Sequence, residues 1–214
     1  MADIQDAERE QVEAIKKWWG ENGRVVTIGI ILGLGGVFGW KAWEARVVSN
    51  EEQASVLYEQ LVNAAASNTT PEVNELAGTL MDSYPNSGYA TLSALIRAGS
   101  AFQNDQTDEA IAYLQWVIDN AKHEEIKTIA KMRTARLLAD QGKLDSALDK
   151  IRNIRTETLK APLAELRGDL LVSEGKSQNA IEAYLEALAN NSLSITMRHR
   201  LELKLKDLGA DEPL

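Results

Sequence analysis

The chain has 214 residues, 26% charged and 44% hydrophobic, with a formal charge of -9, enough for one ordinary domain and a short appendage. Its mean hydropathy of -0.27 excludes a polytopic membrane protein, and the acidic balance argues against nucleic acid, whose binders need a basic face to displace counterions. The chain contains no cysteine, which removes disulfides, thiolate nucleophiles and sulfur-ligated zinc and fits cytosol or periplasm equally.

Charge is unevenly placed. Residues 1–24 carry four basic and six acidic groups, residues 25–50 two and one, and residues 51–214 seventeen and twenty-five. The first predicted element, after a charged N-terminal segment over residues 1–22, is a transmembrane helix over 23–43. Val25 to Trp40 contain no charged side chain and one hydroxyl, Thr27, which can bond back to its own helix. Those residues cover only about 24 Å of the roughly 30 Å hydrocarbon thickness. Trp18 and Trp19 on one side and Trp40 and Trp43 on the other extend the span, because indoles settle at the headgroup levels. The nine Val, Ile, Leu and Phe residues between 25 and 40 contribute about -3 to -5 kcal/mol of insertion free energy, less what the glycines subtract.

The glycines admit two other readings. Gly33, Gly35 and Gly39 form GLGGVFG, a loosened dinucleotide fingerprint, but the alternation of strands and helices that such a site needs does not follow. In a spanning helix, Gly29 with Gly33 and Gly35 with Gly39 clear one face for another helix, or reflect only the general abundance of small residues in such helices. The charged region before the span is too long and acidic for a signal peptide, and KAWEARVV offers no small-x-small cleavage site. Lys16, Lys17 and Arg24, with Arg9 further back, outweigh Lys41 and Arg46, so the N-terminus is expected in the cytoplasm and the long C-terminal part across the membrane, in a bacterium the periplasm.

Residues 44–50 are expected to continue the helix as a linker, and 51–214 to form an all-α domain. Ala, Leu, Glu, Gln and Lys fill segments with apolar spacing of three and four, and alternating β-branched runs are missing. Thr70 is a cap followed by Pro71 at the first helical position, YPNSG at 84–88 is a turn, and Thr107-Asp108-Glu109 opens a helix. Gly142 and Gly175 end helices. Helices of roughly 12 to 18 residues joined this tightly pack as antiparallel hairpins. DQTDEAIAYL from 105, GKLDSALDKI from 142 and GKSQNAIEAYL from 175 share a turn residue followed five places later by Ala110, Ala147 or Ala180. Seven places before each turn stands Ala98, Ala135 or Gly168, and small residues at both positions let the two helices of a hairpin touch. Leu193 to Leu208 is the expected capping helix.

This pattern resembles the tetratricopeptide repeat, over three hairpins at 91–190 and a degenerate fourth at 51–83. Leu138 and Leu171 replace the usual aromatics and the terminal proline is mostly missing, so a generic helical solenoid remains an alternative. The resemblance implies a right-handed superhelix of hairpins. Carrying its frame over assigns Leu95, Phe102, Met132, Arg136, Glu165 and Asp169 to a concave surface, with Phe102 and Met132 as adaptable apolar contacts and Arg136 as a carboxylate clamp. Core packing is the competing reading of Leu95, Phe102 and Met132, and Trp116 is read as core. With the stretch EREQVEAIKKWWGENG and the glycine-rich span ending GWKAW, the whole chain resembles the YfgM family of bacterial inner-membrane proteins. That resemblance implies an ancillary subunit of the Sec translocon, partnered by a membrane-anchored periplasmic chaperone of the prolyl-isomerase type and by client polypeptides. A scaffold for envelope assembly or cell division is the alternative use of such a fold.

Catalysis has little support. His123 and His199 lie in separate segments without ligand spacing, and no nucleophile elbow or phosphate loop occurs. No catalytic residue, metal or cofactor is expected.

Overall fold

The computed structural model describes residues 2–67, 69–190 and 193–210, with side chains at 13, 16–29 and from 31 onward within that range. Among the described residues there are nine helices and no strand: α1 Ala2–Ala66, α2 Thr70–Ser83, α3 Gly88–Gln103, α4 Thr107–Asn120, α5 Glu124–Asp140, α6 Leu144–Arg152, α7 Lys160–Ser173, α8 Ser177–Leu188 and α9 Ile195–Asp207. They divide into two compact units, residues 1–52 and 53–214.

The first unit is helical throughout its described residues. Its apolar stretch reaches a mean hydropathy of 1.7 over 18 residues, none of it buried, and is long and apolar enough to cross a membrane. Five glycines between 29 and 39 would each cost a water-exposed helix about 1 kcal/mol. In hydrocarbon, any N–H or C=O released from the helix would cost several times that, so a lipid surrounding would enforce the helix that the glycines weaken.

In the second unit every odd-numbered helix ends in the same way. A backbone N–H reaches back five residues to close the last turn: Thr69 to Ala64 at 3.0 Å, Gln106 to Ala101 at 2.9 Å, Lys143 to Leu138 at 2.9 Å, Lys176 to Leu171 at 2.8 Å and Ala210 to Leu205 at 3.0 Å. Such a closure needs a left-handed residue just before the donor. Asp105, Gly142, Gly175 and Gly209 supply it with φ of 60°, 75°, 79° and 77°, and aspartate is among the few side chains that tolerate it. After the first four donors the next helix opens at the following residue, and the N–H four residues beyond each donor, of Val73, Ala110, Ala147 and Ala180, bonds to the donor residue's own carbonyl at 3.0 Å.

All four of those residues are buried, at 2%, 0%, 0% and 0% exposure. The degenerate first hairpin is therefore built from the end of α1 and α2, with Val73 in the place of the alanines. The start of α2 falls one residue earlier than the sequence suggests: Thr69 is the cap, Thr70 opens the helix, and Pro71 follows where its missing N–H is not needed. Ser87, from the YPNSG turn, caps α3 by accepting the Ala90 N–H at 3.1 Å. α9 sits at the expected capping position.

The core is a relay of four clusters. Leu61, Val73, Leu80 and the half-buried Ile96 join α1, α2 and α3, and Ala98, Leu114 and Leu137 join α3, α4 and α5. Ala135, Ile151 and Leu166 join α5, α6 and α7, and Ala164, Tyr184 and Leu201 join α7, α8 and α9. Each hairpin thus buries its faces on its neighbours, the nearest-neighbour stabilisation of a repeat array.

Candidate partner-binding surfaces

In the first unit, Trp18 and Trp19 are each 53% exposed with ring centroids 6.4 Å apart, and Trp40 and Trp43 pair at 5.3 Å. Both pairs offer an apolar body and an indole N–H, the combination that suits a lipid–water boundary. A Cβ built on Gly29, Gly33, Gly35 or Gly39 would meet nothing within 4 Å, so the described structure leaves these faces free for close helix contact.

In the second unit, an apolar cavity of about 260 Å³ opens between α3 and α5 over Leu114 of α4. Gly99 and Phe102 form its α3 wall, and Arg133, Arg136 and Asp140 its α5 wall. Phe102 is 48% exposed, a ring left in solvent beside two guanidinium groups. Two of the six residues assigned to a concave surface, Phe102 and Arg136, therefore meet at one cavity. Arg133 and Asp140 escaped the sequence reading, although they stand three residues before and four after Arg136 and so fall on the same helical stripe.

The other four residues do something else. Met132 is 4% exposed and packs with Ala135 and Leu166, so it offers no contact surface; its expected role as an adaptable ligand-facing residue is corrected to core. Leu95 is half-buried against the cluster joining α3, α4 and α5, as is Trp116. Glu165 and Asp169 are assigned by the repeat frame to the same concave surface. Glu165 is instead buried under α9, accepting from Arg200 Nε and Nη2 at 2.7 and 2.8 Å and from Lys204 Nζ at 2.9 Å.

Lys204 also donates to Asp169 at 2.5 Å, Tyr184 donates to the same carboxylate at 2.8 Å, and the Lys204 ammonium lies 5.5 Å from the Tyr184 ring centroid. Hydrogen bonds from Arg200, opposed by burial and reinforced by Lys204, hold the Glu165 carboxyl down at about 2. Burial, then the bond to Asp169, pushes the Tyr184 hydroxyl up. Both carboxylates are thus consumed internally.

The small residues of the repeat mostly behave as expected: Ala98, Ala110, Ala135, Ala147 and Ala180 are all at most 4% exposed. Gly168 differs in its reason. A Cβ there would lie 2.3 Å from Tyr184 Cε1, so the tyrosine ring, rather than Ala180, demands the glycine. His123 and His199 are exposed, and among the described residues no three His, Asp or Glu side chains converge as metal ligands would.

A family model described as a tetratricopeptide repeat-like domain matches residues 16–210. Three curated relatives carry the name ancillary SecYEG translocon subunit. The one from Escherichia coli (strain K12) is 30% identical over 97% of this chain and 99% of its own. That from Neisseria gonorrhoeae is 29% identical over 94% and 97%, and that from Haemophilus influenzae 26% identical over 86% and 90%.

Proposed function

Because this chain belongs to the family of ancillary SecYEG translocon subunits, which have a tetratricopeptide repeat-like domain, we propose that it is a single-span inner-membrane interaction protein that assists newly translocated polypeptides at the Sec translocon. The N-terminus lies in the cytoplasm and residues 51–214 in the periplasm. The repeat domain works beside a membrane-anchored chaperone of the prolyl-isomerase type and binds client segments, and the protein acts by binding, without catalysis.

One observation carries this reading: the similarity takes in the apolar helix and the repeats together, residues 16–210, rather than the repeats alone. The exposed span supports the anchor, its glycine face a contact with neighbouring membrane helices, and the cavity at Phe102 and Arg136 a client site. An apolar side chain of the client enters beside Phe102, and a carboxylate pairs with Arg136, whose planar fork suits that group.

Protease added to spheroplasts is expected to digest the chain beyond residue 50 and leave the N-terminal segment. Photo-crosslinkers at Gly29 and Gly33 are expected to capture translocon subunits. A protected C-terminal domain would overturn the topology, and crosslinks confined to envelope-assembly or division proteins would favour the scaffold reading.

A further inference from the structure

The third hairpin, α5 with α6, is irregular in one place. α2, α4 and α8 run for 14, 14 and 12 residues, but α6 stops after nine, at Arg152. Residues 153–159 then form a non-helical connection to α7. Eleven residues beyond each closing N–H donor stand Leu80, Val117, Ile154 and Ala187. Leu80, Val117 and Ala187 are 0% exposed, whereas Ile154 falls after the end of α6 and is only half-buried.

The missing helical turn leaves a groove of about 310 Å³ between α6 and α7. Leu148, Ile151, Ile154 and Leu163 form its floor. About 150 Å³ suffices for a benzene-sized group, so two large apolar side chains fit.

Its rim is cationic. Arg152, Arg155 and Arg167 line it. Arg152 pairs with Asp149 with 70% of its side chain still exposed, and Arg167 pairs with Glu186. Arg155 is exposed and makes no ion pair among the described residues. Residues 150–160 hold Lys150, Arg152, Arg155 and Lys160 against a single acid, Glu157, in a chain of net charge -9.

We infer that the α6–α7 groove binds an acidic amphipathic polypeptide segment of a partner, whose apolar side chains enter over Ile151 and Ile154 while its carboxylates meet Arg152 and Arg155. Charge complementarity selects the acids, and the recessed apolar floor selects a chain with side chains to insert. A flat anionic lipid surface has nothing to place in a recess and would need protruding apolar residues instead. This surface is separate from the cavity at Phe102, and it stands or falls independently of which translocation partner is correct.

The test uses the full-length protein in dodecyl maltoside and a fluorescein-labelled 14-residue peptide with Leu at helical spacing and Glu elsewhere, read by anisotropy. A control peptide carries Lys in place of every Glu. In a Phe102→Ala, Arg136→Glu background that silences the other cavity, saturable micromolar binding of the acidic peptide is expected, at least tenfold tighter than the control and weakened about tenfold by Arg155→Glu. Arg155 has no structural partner to lose, and an unaltered melting temperature checks that its variant is folded. Absence of binding, equal binding of both peptides, or insensitivity to Arg155→Glu in that background would each overturn the assignment. So would Arg155-dependent binding of phosphatidylglycerol vesicles without the peptide, which would make the patch a membrane contact.

Discussion

α5 and α7 occupy equivalent places in successive repeats, yet their polar residues meet opposite fates. Arg136, six residues before Gly142, stands free at the rim of an apolar cavity. Asp169, six residues before Gly175, is bound by Lys204 and Tyr184, and Glu165 four residues earlier by Arg200 and Lys204. What differs is the neighbour: α9 packs Leu201 and Leu205 on α7 and α8 and brings two cations with it. A repeat position therefore does not fix a role. The same slot lines an open cavity in α5 and fastens a helix in α7.

The closed region should be the more fragile. Gly168→Ala pushes a methyl group into the Tyr184 ring, and overpacking of this kind costs about 3 kcal/mol; urea denaturation should record that loss, and adding Tyr184→Leu should recover much of it. Replacing both Arg200 and Lys204 with alanine strips Glu165 of its partners and should cost about 2 kcal/mol, discounted because Arg200 is half in solvent.

The pH dependence should follow Glu165. Its folded value of about 2 lies below the ordinary 4.5, so its contribution is complete above pH 4.5 and disappears as pH falls toward 2, where the unfolded chain binds the extra proton. Melting temperature should fall across that window, and the Arg200/Lys204 double variant should show a shallower fall.

The open region should respond in the other sense. Phe102→Ala and Arg136→Glu should leave stability within about 0.5 kcal/mol, as exposed substitutions do, while client binding drops about tenfold.

The repeat was legible because its signals are local. Ala110, Ala147 and Ala180, with Gly142 and Gly175, sit at fixed offsets in the chain, and turn chemistry plus close packing dictate them. Asp105 takes the same left-handed conformation without being glycine, and Val73 fills an alanine slot, which is why the first hairpin looked degenerate. The fate of Glu165 was not legible. Arg200 lies 35 residues away on a different helix, and helical periodicity cannot distinguish a carboxylate that faces solvent from one that awaits a partner. Of the two readings of Met132 the core one holds, since a stripe that lines a cavity at Arg136 turns into the core one helical turn earlier.

The most direct measurement is site-specific photo-crosslinking in cells, with the probe at Phe102 in one strain and at Asp169 in another during export of a pulse-labelled secreted protein. The account predicts labelled adducts from position 102 and almost none from position 169, where Lys204 of α9 and Tyr184 of α8 engage the side chain. Equal labelling at both positions, or labelling from 169 alone, would contradict it.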